Sequence, residues 1–388
     1  SGITISGTVW TTESNSVGDP NIGASKTVAL SVNGAAVSTA ETDATGAFSF
    51  SDVTVSANQV LLLYVDGEAE DGSLVTKAAD DSTDITGLDL YTSKIALRYE
   101  TGSDLDNTDL DVIDAVDAGN EDGIAISGGN ATFADGFEVW VEDNYTYAPG
   151  GTVEADDFEV VGTATFNPAA NAVTISGDWK VGASATFTSS GTVTFDGGSK
   201  QTLTTGGTDG DHDFEDLTHS GAGELELSTD NLVVNGTITQ SGAGDFDTGG
   251  LDITAAGLSM TGGTFNGDSN GGTWDIGTDG VSVGASGELW GTSDTMTVAG
   301  DWTVDADGAW RHRWGTVDFD GTTTQTLISG GTDTTHDFYM LTHSGAGDLD
   351  ISTNDLSVAG ILTQSGSGDF NTSGLDMTAA GLVVSSAG

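Results

Sequence analysis

The chain has no cysteine and only 3 prolines in 388 residues. Without cysteine, a disulfide-stapled module and a thiolate zinc site are both excluded. With so little proline, and no glycine at every third position, a collagen helix is excluded too. Basic residues are nearly missing. Lys26, Lys77, Lys94, Arg98, Lys180, Lys200, Arg311 and Arg313 face 60 acidic residues, for a formal charge of −52. So few cations cannot neutralise a phosphate backbone, so nucleic acid is not an expected partner. Anionic membranes would repel such a chain. No apolar run approaches the ~20 residues of a membrane-spanning helix, and no direct membrane insertion is expected. Long helical periodicity is also absent.

Glycine is plentiful, with 58 residues, about 15% of the chain and roughly twice the usual share. High net charge with much Gly and Ser can mark a disordered chain, so the pattern has to decide. Apolar and polar residues alternate in short stretches, such as Val193 and Phe195, Leu225 and Leu227, Leu232 and Val234, Leu251 and Ile253, and Leu349 and Ile351. Each stretch is closed by Gly, Asn, Asp or Ser, the mark of half-buried strands between tight turns. The expected class is all-β.

A long internal repeat dominates the second half. The run from Gly191, GTVTFDGGSKQTLTTGGTDGDHDFEDLTHSGAG, returns from Gly315 as GTVDFDGTTTQTLISGGTDTTHDFYMLTHSGAG. Gln201 and Gln325, His212 and His336, His219 and His343, and Leu258 and Leu382 correspond without a gap, about 124 residues apart. Gly177-Asp178-Trp179 matches Gly300-Asp301-Trp302 one residue out of that register, so one residue is inserted or lost in between. Two copies are expected over about residues 150–274 and 275–388. Within each, strand-like pieces begin near Ala172, Gly191, His212, Asn231, Leu251 and Gly272. A beat of ~20 residues predicts a parallel β-helix (β-solenoid) over residues 124–388, its inward residues stacked in ladders.

Residues 1–99 read differently. Gly7 and Val9, Val28 and Leu30, then Thr42-Asp43 with Gly46, Phe48 and Phe50, form successive strands and turns. This pattern resembles carboxypeptidase-regulatory-like (transthyretin-like) domains. The resemblance implies an Ig-like or transthyretin-like β-sandwich with an accessory, non-catalytic role. Residues 100–123 form an acidic connector. Leu110, Ile113 and Val116 at helical spacing predict one short helix, capped by Asn107 or Thr108 and stopped at Gly119. A sandwich followed by long Gly-Thr-Asp-rich repeats resembles adhesin-like giant repeat surface proteins of bacteria and archaea. That likeness implies an extracellular, cell-surface location.

Chemistry-bearing residues are sparse. Polysaccharide-degrading β-helix enzymes need clustered carboxylates with a cation to stabilise developing negative charge. Residues 124–388 offer only Lys180, Lys200, Arg311 and Arg313, so no catalytic residues are assigned and an enzyme ranks third among the readings. Trp310, Arg311, His312, Arg313 and Trp314 stand out as a contact patch, either a saccharide- or acid-gripping surface or a local counterion. The duplicated His212, His219, His336 and His343 read as turn residues carried along with the repeat rather than metal ligands. Oxygen donors suit Ca²⁺, the one cofactor considered. Its candidate ligands are Asp104, Asp106, Asp109 and Asp111 in the connector, and Asp209, Asp211 and Asp213 in one turn. Neither cluster has EF-hand spacing.

Ending the second copy at Gly388, mid-unit, predicts an open edge that a missing part of the chain or another subunit covers. Leu382, Val383 and Val384 at that edge, and Ile3, Ile5 and Val9 as a donated strand, are the expected assembly residues. Function is expected to be structural: a self-associating subunit of a head-to-tail surface filament or sheath. The alternative is an adhesin stalk or glycan-binding protein, with glycans or other cells as partners.

Overall fold

In the computed structural model, which describes residues 2–13, 19–114 and 122–385, the alternating stretches resolve as strands. Among the described residues there is one helix, about 49% is strand, and parallel β-solenoid coils make about 15 turns. The coils advance by about 21 residues, one more than the sequence beat. The chain divides into two units, Ser1–Gly191 and Thr192–Gly388.

The first unit opens with eight strands: β1 (Ile3–Trp10), β2 (Thr27–Val32), β3 (Ser38–Glu41), β4 (Ala47–Val53), β5 (Val60–Val65), β6 (Ser73–Lys77), β7 (Ile85–Tyr91) and β8 (Lys94–Leu97). β1 lies between antiparallel β4 and parallel β7 in one three-stranded sheet. The others pair in the order β3-β2-β5-β6-β8. One buried cluster takes Ile5, Val9, Phe48 and Leu90 from the first sheet and Leu30, Leu63, Leu74 and Ala96 from the second. Full burial of each Ile, Leu, Val or Phe side chain contributes about 1.5–3 kcal/mol. The second sheet does not stop at residue 99. After β9 (Ile124–Ser127) and β10 (Asn130–Phe133), strand β11 (Glu138–Val141) pairs in parallel with β8, Ile95 opposite Val139.

Helix α1 (Asn107–Ile113) lies between β8 and β9, and its N-cap is Asp106 rather than Asn107 or Thr108. Asp106 Oδ1 accepts the Asp109 N–H at 2.9 Å, and Asp109 Oδ2 accepts the Asp106 N–H at 3.1 Å, a reciprocal capping box. Leu110 and Ile113 are buried. Val116 and Gly119, read as the end of this helix, lie outside the described residues.

Coils of the first unit then stack in three columns. Val139, Phe158 and Trp179 follow one another in one column, Ala131, Val153 and Val173 in another, and Tyr147, Phe166 and Phe187 in the third. The last trio stacks ring on ring, with centroids 5.7 and 6.0 Å apart.

The second unit repeats the principle. Ile253, Trp274, Met296, Val317, Leu341, Leu362 and Leu382 form one ladder. Phe246, Phe265, Leu289 and Trp310 form another. The duplicated strands Leu232–Gln240 and Leu356–Gln364 occupy equivalent positions. Glycine is required at the corners, where backbone passes over backbone. A Cβ on Gly223 would lie 1.8 Å from Ser199 O, and one on Gly368 1.8 Å from Gly347 O.

Candidate functional site

Four strands of the second unit, Asp245–Asp247, Thr264–Asn266, Glu288–Trp290 and Ala309–Arg311, stack in register. The pleat sends Phe246, Phe265, Leu289 and Trp310 inward and their neighbours outward. Asp247, Asn266, Trp290 and Arg311 thereby form one outward column, and Asp245, Thr264 and Glu288 another.

Trp310 is therefore not part of the surface patch. It is 2% exposed, with its ring 4.8 Å from Trp302 and 6.0 Å from Phe338. Trp290, which sequence reasoning passed over, takes its place. The Arg311 guanidinium lies 5.3 Å and that of Arg313 4.6 Å from the Trp290 ring centre. Arg311 also pairs with Glu288. Arg313 donates from Nη2 to Asn266 Oδ1 at 2.6 Å.

After Arg311 the chain turns sharply. The Gly315 N–H donates to His312 O at 3.0 Å, and the Trp314 N–H to His312 Nδ1 at 3.1 Å. Arg313 and Trp314 both have positive φ, 41° and 63°. That is the primed type I pattern, normally filled by Gly, Asn or Asp. The turn leaves Trp314 67% exposed. Burial holds the His312 imidazole below its ordinary pKa, with Asp337 opposing the shift. Two adjoining depressions result. One of about 220 Å³ is lined by Asp245, Thr264, Asn266, Glu288, Trp290 and Arg313. The other, about 290 Å³, is lined by Trp290, Arg311, His312, Arg313, Trp314 and Thr334.

The remaining sequence candidates are held by their own surroundings. Asp106 and Asp109 cap α1, Lys77 Nζ is 2.9 Å from Asp109 Oδ2, and the Tyr99 hydroxyl reaches Asp104 Oδ1 at 3.2 Å. Asp111 is exposed. Asp209 Oδ1 lies 2.5 Å from His212 Nδ1, and Asp333 Oδ1 2.8 Å from His336 Nδ1. Asp211 donates its backbone N–H to Asp209 Oδ1 at 3.3 Å, and burial raises the Asp213 carboxyl above its ordinary pKa. His219 and His343 are fully buried. Neither aspartate cluster brings three carboxylates together among the described residues.

Glu13, Glu138 and Glu159 do converge, with one oxygen of each within 4.8 Å of the others. Ammonium groups already fill that position. Lys94 pairs with Glu138 and lies 3.2 Å from Glu13, and Lys180 is 2.6 Å from Glu159. Burial, then the hydrogen bond with Glu159, pushes the Glu138 carboxyl up to about 7. The sequence signal was a cross-rung charge register, Glu138 beside Lys94 and Glu159 beside Lys180, legible only once the pairing is known.

Ile3, Ile5 and Val9 are not available for donation. Each is at most 2% exposed, on a strand with partners on both sides. At the other assembly candidate, Leu382 is 60% and Val384 65% exposed, although Leu362, one rung earlier, is 2% exposed.

Compared with protein-family models, curated proteins and solved structures, the chain matches none. Fold and site together define a class: an all-β protein built on a parallel β-solenoid, with an aromatic and guanidinium patch on a strongly acidic chain.

Proposed function

We propose that this chain is a structural β-solenoid of the cell exterior, a subunit of a surface filament or sheath that grows by stacking coil on coil. The supporting observation is the ladder through Val317, Leu341, Leu362 and Leu382. Ladders of this kind extend coil by coil, each new rung packing only on its neighbour. The next coil comes either from the same polypeptide or from a second copy. In the second case the contact is heterologous, and such contacts extend into filaments when they do not close.

The accepting surface in this reading is the groove of about 470 Å³ between β3 and β4, lined by Leu30, Val32, Phe50 and Val53 among others. The two N-terminal sheets with their shared core are read as a β-sandwich of the transthyretin-like type. Sedimentation velocity and negative-stain electron microscopy test the assembly. The wild-type chain should polymerise with rising concentration, and the double variant Leu382→Glu, Val384→Glu should remain monomeric. A wild-type chain that stays a monomer throughout removes assembly through this face.

A further inference from the structure

We propose that the cleft around Trp290, Arg313 and Trp314 binds a neutral saccharide. Three independent observations converge there. First, Arg313 stands apart among the cations. Every other Lys and Arg of the chain makes an ion pair with a carboxylate. Arg313 makes none among the described residues, although acidic groups outnumber basic ones 60 to 8. Its one hydrogen bond there goes to a neutral amide, Asn266.

Second, the backbone is strained to hold this arrangement. Positive φ at Arg313 and Trp314 crowds Cβ against the backbone and is disfavoured for residues other than glycine. The gain is the display of a large indole to solvent, which folding alone does not favour. Strain of this kind, observed first, points to function.

Third, the site breaks its own repeat. The first copy reads Phe187-Thr188-Ser189-Ser190-Gly191, and the second reads Trp310-Arg311-His312-Arg313-Trp314-Gly315. The residue that puts the two copies out of register is added within this stretch. Both tryptophans and both guanidiniums of the patch belong to the second copy.

The lining selects the ligand class. Trp314 offers a flat apolar platform, Trp290 lines the cleft against the guanidiniums, Arg313 and Asn266 offer N–H donors, and Asp245 and Glu288 offer acceptors. A pyranose presents the matching set, with an apolar C–H face and a ring of hydroxyls that both donate and accept. A polyanion is disfavoured by the two carboxylates in the cleft and by the −52 charge around it. The two depressions together reach the lower end of the roughly 300–1,000 Å³ usual for small-ligand sites.

The test uses the whole chain against an array of neutral gluco-, manno-, xylo- and N-acetylglucosamine oligosaccharides, with uronate oligosaccharides as a second arm. Hits are followed by calorimetry and tryptophan fluorescence. At least one neutral probe should bind and quench fluorescence, and Trp314→Ala should weaken it by about tenfold or more. Arg313→Gln should weaken it too, and Thr188→Ala in the first copy should not. Replacing Arg311–Trp314 with the Thr-Ser-Ser of the first copy should abolish binding while circular dichroism stays unchanged. The proposal fails if no neutral probe binds at millimolar concentration. It fails equally if only uronates bind, or if Trp314→Ala binds like the wild type.

Discussion

His219 Nδ1 lies 2.7 Å from Gln240 Oε1 on the next rung, and His343 Nδ1 repeats the relation at 2.8 Å from Gln364 Oε1. Each glutamine also donates from Nε2 to a corner carbonyl, Gly244 O at 2.7 Å and Gly368 O at 2.8 Å. The histidines and glutamines are thus internal ties between rung and corner. Gln240 is fully buried and Gln364 is half-buried. Gln240→Leu should therefore cost about 1–3 kcal/mol, and Gln364→Leu less. The shift in urea midpoint at constant m-value measures both.

The corner glycines separate sharply by what lies over them. Alanine at Gly223 or Gly347 would place Cβ 1.8 Å from Ser199 O or 1.9 Å from Thr323 O. Either substitution should cost more than about 4 kcal/mol, at the extreme of single-residue effects. Gly210 has nothing within 4 Å of a built Cβ and no positive φ. Gly210→Ala should be neutral or stabilise by about 0.4–1 kcal/mol through the unfolded chain. Equal losses at Gly210 and Gly223 would contradict the corner geometry.

The two units should answer pH in opposite directions. In the first, burial pushes Glu138 and Glu142 up to about 7 from an ordinary 4.5. Raised carboxyl values stabilise below the unfolded value, and that stability is lost as pH rises through about 7. In the second, burial lowers His219 below 6.5. The neutral imidazole is the folded form, so stability present above 6.5 falls as pH drops below it. Urea melts from pH 5 to 8 should show the alkaline loss removed by Glu142→Gln and the acid loss removed by His219→Gln.

Strain at the Trp314 turn is measurable apart from any ligand. Trp314→Gly relieves positive φ and gives up little burial, offset in part by glycine entropy. A net gain of about 0.5–1 kcal/mol is expected. Acrylamide should lose most of its tryptophan quenching in Trp314→Phe, since that indole is the most open. No gain in stability for Trp314→Gly would remove the strain argument.

Outward acidic residues stack as well. Glu226 faces Asp247 across one rung step. Like charges ~5 Å apart in water repel by about 0.8 kcal/mol before screening. Melting temperature should rise with sodium chloride over the first ~0.15 M, where the screening length falls to about 8 Å. An additional rise on adding Ca²⁺ at constant ionic strength would indicate a specific cation site, and EDTA should reverse it. Indifference to salt would mean that the charge acts on solubility alone.

Much of the solenoid was legible because its signal is periodic. Leu232–Gln240 and Leu356–Gln364 alternate in the same way in both copies, so inward and outward positions could be read directly. The rung length came out one residue short because corner turns vary in length. The patch was only half legible. Period-two parity holds from Trp310 to Arg311, but the positive-φ turn at Arg313 and Trp314 resets it. Trp290 and Glu288 join the site only through register with Ala309 and Arg311, and register is a long-range property. The same is true of β8, whose pairing with β11 carries the N-terminal sheet past the expected boundary.

That shared strand has a kinetic consequence. β8 pairs with β6 on one side and with β11 on the other. The antiparallel pairs β2–β3 and β5–β6 join neighbouring segments and close over short loops. Parallel coils, by contrast, meet partners a full turn away and close slowly. The N-terminal sheet offers β8 as an edge on which the first coil pairs through β11. Coils stacked on that edge are expected to order after it. A lesion in the core behind β8, at Leu74 or Ala96, should delay every coil of the first unit that follows it.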